Sequence, residues 1–264
     1  MGAVNFSIDK ALVKILVKKL ELTAFIETGA YEGDAIENVS DMFDEIRSVE
    51  YSEDHAKRCQ NRFRDHSHIT VSRGNSPDFL QGLKTWSQQR SVLYWLDAHW
   101  CVGAVTDGDK SHCPLLEELD AIGDLPNDSI IMIDDARLFL CPPNKPHKVD
   151  QWPGFNAVLR KLLTLSESHR IMVLNDVILF YPPKAEGTLN RYARDHGIDW
   201  LSKLNLATLA EQAGLKNDPL KQIEAYFKSN NLNPFRVPET LWQQLKEKEV
   251  AIQKLLKKVN DAGL

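Results

Sequence analysis

Seven short runs rich in β-branched and aromatic residues punctuate the chain up to Tyr181, and only Asn175–Asp176 separates the last two. The runs are Ala24–Glu27, Glu45–Glu50, His68–Ser72, Ser91–Asp97, Ser129–Asp134, His169–Leu174 and Val177–Tyr181. The first four are spaced by about one βα unit, with helical segments between them. That alternation predicts a parallel sheet covered by helices on both faces. The final pair cannot continue the pattern, because a two-residue turn of Asn and Asp makes an antiparallel hairpin. Ahead of the first strand, Ile8, Leu12, Ile15, Leu16 and Leu20 recur at helical spacing, which predicts a leading amphipathic helix over 8–20.

Composition narrows the setting. No apolar run approaches the ~20 residues that span a bilayer, and Met1–Lys19 lacks the apolar core and small-residue cleavage site of a secretory leader. A cytoplasmic location is the expectation. A net charge of −5, from 32 basic and 37 acidic residues, argues against a duplex nucleic-acid partner. Cys59, Cys101, Cys113 and Cys141 are scattered, as in a reducing compartment. Cys101 and Cys113 lie near His99 and His112, but their spacing matches no zinc motif.

The composition changes after Pro182–Pro183. The sequence predicts one domain over 1–183 and a helical extension over 184–264, with helical patterns at Leu201–Ala213 and Leu220–Phe227. A final helix is expected from Pro238 to Leu264. Leu241, Leu245, Ile252, Leu255 and Val259 lie close to heptad positions, but Lys248 falls on the seam. This helix therefore either packs on its own domain or docks a partner, a homodimer among the choices.

Chemistry-bearing residues gather where the strands end. The first strand runs into Glu27-Thr28-Gly29-Ala30-Tyr31-Glu32-Gly33-Asp34, whose glycines permit a sharp turn and close approach to a ligand. The third glycine of a dinucleotide loop is missing. Glu50 closes the second strand about 20 residues beyond Gly29, where a carboxylate can accept both hydroxyls of a ribose. After the third strand, Gly74-Asn75-Ser76 either reads an adenine edge or is a plain turn.

The fourth strand ends in Asp97-Ala98-His99-Trp100 and the fifth in Asp134-Asp135-Ala136-Arg137. Neighbouring strands of such a sheet bring their C-terminal ends to one crevice. Three carboxylates so close repel one another, and a hard cation with oxygen ligands, Mg²⁺ above all, would neutralise Asp97, Asp134 and Asp135. Alternatively, one aspartate caps a helix or contacts a ribose and the others face water. His99 is the candidate to take a proton from a substrate hydroxyl, with Asp97 beside it. The segment holding Gly103, Asp107, Gly108 and Asp109 suits a substrate lid or an ordinary surface loop. Arg137 is placed to pair with a neighbouring aspartate.

Taken together, FIETGAYEGD, SVEYS, WLDAHW, CPLLEEL and IMIDDARLF resemble the class I S-adenosylmethionine-dependent methyltransferases associated with sugar and polysaccharide biosynthesis. More distantly, they are similar to the metal-dependent macrolide-sugar O-methyltransferases. The resemblance covers about residues 20–182. It implies a Rossmann-like α/β fold with a seven-stranded, mostly parallel sheet ending in an antiparallel hairpin. It also implies methyl transfer to a hydroxyl of a sugar, glycan or small molecule. Glu27, Thr28, Gly29 and Gly33 would then border the methionine and ribose, Glu50 would hold the ribose, and Asn75–Ser76 would approach the adenine. Asp97, which also adjoins the cofactor, would join Asp134 and Asp135 as the metal-binding acids. His99 has no mapped role in those relatives, and Gly74-Asn75-Ser76 replaces the commoner acidic residue.

Two other readings compete. Asp97-Ala98-His99 is similar to a segment of the two-manganese ureohydrolases, but these need an aspartate where Cys101 stands. A binding module that keeps the fold without catalysis is the other; Glu50 and the clustered acids speak against it.

Overall fold

The computed structural model describes residues 8–100, 112–126, 128–143, 145 and 147–198. The chain divides into two units, Met1–Ile198 and Asp199–Leu264. The helical patterns expected beyond residue 199, the Gly103–Asp109 segment and Cys101 lie outside the described residues.

A helix opens the described chain. α1 (Lys10–Leu20) begins at Asp9, whose Oδ1 accepts from the amides of Ala11 (3.0 Å) and Leu12 (3.2 Å). Such a cap is worth about 1 kcal/mol. Lys18 and Lys19 sit in the last turn, where the helix dipole favours positive charge. Leu12, Val13, Leu16 and Leu20 face inward.

The sheet follows the expected rhythm: β1 (Ala24–Thr28), β2 (Glu45–Glu50), β3 (Ile69–Arg73), β4 (Val92–Leu96), β5 (Ile130–Ile133), β6 (Arg170–Leu174) and β7 (Val177–Tyr181). Between them lie α2 (Asp34–Val39), α3 (Glu53–Arg62), α4 (Ser76–Ser87), α5 (Leu115–Ile122), α6 (Arg137–Leu140) and α7 (Phe155–Leu165), with α8 (Glu186–His196) after the last strand. The strand order is β3-β2-β1-β4-β5-β7-β6, parallel except where β7 pairs antiparallel with β5 and β6. This is the expected Rossmann-like α/β architecture, a seven-stranded, mostly parallel sheet closed by one antiparallel hairpin.

Burial explains why β4, β5 and β7 read as unbroken apolar runs and β1 as apolar up to Ile26. Strands β1, β4, β5 and β7 are buried at every residue, because helices cover both faces. One face carries Phe25, Ile46, Trp95, Met132 and Leu179 against Leu16, Ile36, Cys59 and Leu189 of the helices. The other carries Ile26, Tyr94, Leu96, Ile131 and Phe180 against Leu80, Leu119 and Leu162. Burying each large apolar side chain contributes roughly 1.5–3 kcal/mol. The edge strand β6 leaves Arg170 and Val173 exposed. Asn175 and Asp176 both have positive φ, 50° and 69°, as a two-residue hairpin turn requires.

The first unit runs past the boundary expected at Pro183. Leu189 and Tyr192 of α8 are buried, and the Tyr192 hydroxyl donates to Asp9 Oδ2 over 2.7 Å. One carboxylate thus caps α1 and anchors α8. No helix among the described residues is long and apolar enough to cross a membrane.

Candidate active site

The chain reverses its direction of travel across the sheet between β1 and β4. In α/β proteins of this type the strand ends at such a reversal border a ligand crevice. The strand ladder continues into the loops that form its rim. Gly29 N donates to Val49 O (2.9 Å), Asp97 N to Thr28 O (3.1 Å) and Asp134 N to Leu96 O (3.1 Å). Gly29 has φ +82°, and a Cβ there would lie 2.4 Å from the Asp97 carbonyl oxygen. The glycine is needed so that the ends of β1 and β4 can close together. Gly33, also at positive φ (+83°), would drive a Cβ into the Phe63 ring at 2.5 Å. Both glycines of the sequence pattern are therefore fixed by packing around the turn.

Glu50 stands at the lip of this turn, buried and held by its own surroundings. Its Oε2 accepts from Tyr31 N (2.7 Å) and its Oε1 from Ser52 N (2.8 Å). Each oxygen keeps acceptor capacity for a further donor. Gly74 N donates to Glu50 O (3.0 Å), which brings the Gly74-Asn75-Ser76 turn alongside. Asn75 occupies the N-cap position of α4, but its side chain makes no cap bond and reaches Asp78 instead (3.4 Å).

Deeper in the crevice the acids accumulate. Glu27 is fully buried and accepts from the Ser48 hydroxyl on β2. Burial pushes its carboxyl up to about 8, and the negative charges of Asp97, Glu50 and Asp34 push the same way. Asp97 is raised to about 6 by burial and by Asp135. Asp134 is raised to about 7 by burial and by Asp97. Burial and mutual repulsion both work against charge on these carboxylates.

His99 and Asp135 supply the local order. His99 Nε2 lies 3.3 Å from Asp97 Oδ1 and 3.4 Å from Asp135 Oδ2, without the alignment of a hydrogen bond. Its ring leans on Trp152, centroids 5.3 Å apart. Burial lowers the His99 pKa, although Asp135 and Asp134 oppose that shift. Burial also disfavours charge on Asp135, but His99 and Arg137 outweigh it and hold its pKa down. Asp135 sits at φ +55°, a left-handed conformation that costs a non-glycine residue about 1 kcal/mol or more.

The hairpin turn helps hold Asp135 in that conformation. Asp176 accepts from Arg137 N on Oδ1 (2.8 Å) and from the Arg137 guanidinium on Oδ2, while its carbonyl accepts from Ala136 N (2.7 Å). Arg137 Nη1 in turn donates to Asp135 Oδ1 at 2.6 Å. Sequence reasoning foresaw a pairing of Arg137 with an aspartate. It missed Asp176, which looks like turn punctuation until the hairpin is folded against α6.

Asp97, His99, Asp134 and Asp135 do converge as expected. Their arrangement does not fit the expected shared Mg²⁺. The Arg137 guanidinium holds one oxygen of Asp135 and His99 faces the other, while Asp134 Oδ1 accepts from the Asp135 amide (2.7 Å). Among the described residues no group of three His, Cys, Asp or Glu is arranged to hold a metal ion. The Arg137 guanidinium neutralises part of the charge that the sequence assigned to a cation.

No family model and no curated protein matches the chain. Several solved structures do. Streptomyces venezuelae DesVI is 11% identical with a TM-score of 0.45, covering 68% of this chain and 91% of its own. The sugar N-methyltransferase KedS8 from Streptoalloteichus sp ATCC 53650 is 11% identical with a TM-score of 0.45, covering 68% and 88%. Precorrin-6y C5,15-methyltransferase from Geobacter metallireducens GS-15 is 14% identical with a TM-score of 0.42, covering 66% and 86%.

Proposed function

We propose that the chain is an S-adenosylmethionine-dependent methyltransferase that methylates a hydroxyl of a sugar, glycan or small molecule. The observation that carries this reading is the gathering of Glu27, Glu50, Asp97 and Asp134 at the strand ends beside the β1/β4 reversal. Acids crowded until burial and mutual repulsion raise their pKa values favour a cationic ligand, which would relieve that repulsion, and oppose a pyrophosphate. S-adenosylmethionine carries its positive charge on sulfur and on its amino group; a dinucleotide brings two negative phosphates.

When bound, the cofactor supplies a methyl group activated by the sulfonium charge. The chain's own residues do the rest. Glu50, pre-oriented by the Tyr31 and Ser52 amides, accepts the ribose hydroxyls. Thr28, Gly29 and Gly33 shape the turn against which the methionine portion lies. His99 is held mostly neutral by burial and takes the acceptor's hydroxyl proton. Asp135, kept ionised, stabilises the imidazolium that forms, as a carboxylate behind a histidine base does. Asp97 faces the same ring nitrogen as Asp135, Nε2, which leaves Nδ1 as the nitrogen that takes the proton. No step runs through a metal ion.

Transfer of a labelled methyl group from S-adenosylmethionine to a panel of glycosides and small alcohols tests this function. Product labelled on oxygen is expected, at a rate that exhaustive chelation leaves unchanged. Label found only on amines or carbon would refute the acceptor class. Loss of turnover on chelation, restored by Mg²⁺, would return the three aspartates to a metal.

A further inference from the structure

A buried tryptophan sits against His99. A single 3-10 turn, Val149–Gln151, ends at Trp152, whose amide donates to Val149 O (3.2 Å). Hydrogen bonds tie this turn to the chain that follows β4. The His112 amide donates to Gln151 Oε1 (3.1 Å), the Lys148 amide to His112 Nδ1 (3.5 Å), and the Trp100 amide to His112 O (2.7 Å). Trp152 is thereby held beside the imidazole of His99, ring centroids 5.3 Å apart, with His147 at 5.0 Å and Phe139 at 5.5 Å.

Two ring nitrogens in this cluster are buried and unused. Trp152 is 7% exposed, and its indole Nε1 is buried with no hydrogen-bond partner among the described residues. Buried indoles usually find an acceptor, and an unpaired buried donor costs about 1–3 kcal/mol. Phenylalanine would fill the same apolar place against Phe139 without that cost. His99 Nδ1 is buried and unpartnered as well, while Nε2 faces the two aspartates. The indole nitrogen can only donate, whereas neutral His99 is the proton acceptor of the site. A ligand with a single hydroxyl satisfies one of the two nitrogens. A ring bearing two oxygens satisfies both, because the indole and imidazole touch and one sugar with its hydroxyls spans them.

We propose that Trp152 Nε1 donates a hydrogen bond to a second oxygen of the acceptor, on the ring that presents the methylated hydroxyl to His99, and so selects sugars and cyclic polyols over simple alcohols. The proposal rests on the hydroxyl-methylation reading above and adds a specificity residue to it. No bond to the second oxygen is made or broken; it fixes which hydroxyl lies against Nδ1. An acceptor without that oxygen leaves the indole N–H unpaired, and a site built to hydrogen-bond a substrate group discriminates strongly against its absence.

Methyl transfer to the methyl glycosides of glucose, galactose and mannose, each compared with its monodeoxy analogues and with cyclohexanol, tests this. Two positions are expected to matter in the wild-type protein. Removing the methylated hydroxyl abolishes transfer, and removing the oxygen that Trp152 holds lowers kcat/KM by about tenfold or more. Trp152→Phe keeps an aromatic ring and loses the donor, so it is expected to treat the second deoxy analogue and its parent alike while the first position stays essential. Thermal unfolding is recorded on the same sample, and Trp152→Leu replaces the variant if the phenyl ring does not fold. A wild type for which only the methylated position matters overturns the proposal, whatever the variants do. A folded variant that keeps the second preference also overturns it, because Trp152 is then merely structural. Transfer to cyclohexanol as fast as to any glycoside overturns it too, while the hydroxyl-methylation reading stands. Transfer to none of these hydroxyls refutes that reading, and this proposal with it.

Discussion

Replacing His99 by alanine is expected to lower methyl transfer by about 10²–10⁴-fold, the usual contribution of a positioned general base, with little change in cofactor affinity. The asymmetry follows from position. His99 lies between Asp97 and Asp135 at the ends of β4 and β5, whereas the proposed ribose and adenine contacts belong to the end of β2 and the start of α4. Losing a group that acts only in the transition state lowers kcat and kcat/KM together. The pH profile supplies a second check. Burial lowers the His99 pKa from its ordinary 6.5, so the imidazole is the neutral, proton-accepting form at neutral pH. Activity is therefore lost as pH falls and the ring becomes protonated, not as pH rises. A His99→Ala protein with wild-type turnover, or one that fails only in binding, would remove the base from His99 and leave Asp97 as the simplest replacement.

Glu50→Ala is expected to weaken S-adenosylmethionine binding by about tenfold to a hundredfold, the worth of a charge-assisted contact of about 1.5–3 kcal/mol. The same carboxylate receives the Tyr31 and Ser52 amides, so the variant also loosens the turn after β1. Thermal unfolding measured alongside separates the two effects. A folded variant with unchanged affinity would take the ribose away from Glu50.

Much of this fold can be read directly from residue pattern. The buried strands β1, β4, β5 and β7 announce themselves because two covered faces leave no polar alternation to confuse them with a half-exposed strand. The β6–β7 hairpin follows from Asn175 and Asp176, residue types that tolerate the positive φ a two-residue turn demands. The place of Glu50 at the end of β2 was legible as well, since it depends only on where one strand stops. Asp176 was not, because its partner Arg137 lies 39 residues away and only the folded hairpin brings them together. That contact also changes the chemistry of the site. Three aspartates in sequence suggest a cation, but one of them arrives with a guanidinium already attached.

Glu118, a glutamate buried in α5, is the instructive miss. It stands in CPLLEEL beside another glutamate, and two adjacent acids read as a solvated helix face. Helical spacing contradicts that for one of the two. Counted from Leu115, the positions three, four and seven residues on are Glu118, Leu119 and Ile122, so the glutamate falls on the apolar stripe. A charge on a core stripe was visible in the sequence, whereas its hydrogen-bond partners Ser76 and Thr28 required the fold.

Titration of the wild-type protein with S-adenosylmethionine, S-adenosylhomocysteine and NAD tests the central claim most directly, because the acidic crevice makes opposite demands on the sulfonium and the pyrophosphate. The account predicts saturable one-to-one binding of both sulfur ligands and none of NAD, with S-adenosylmethionine unaffected by chelator. Binding of NAD without the sulfur ligands would contradict it.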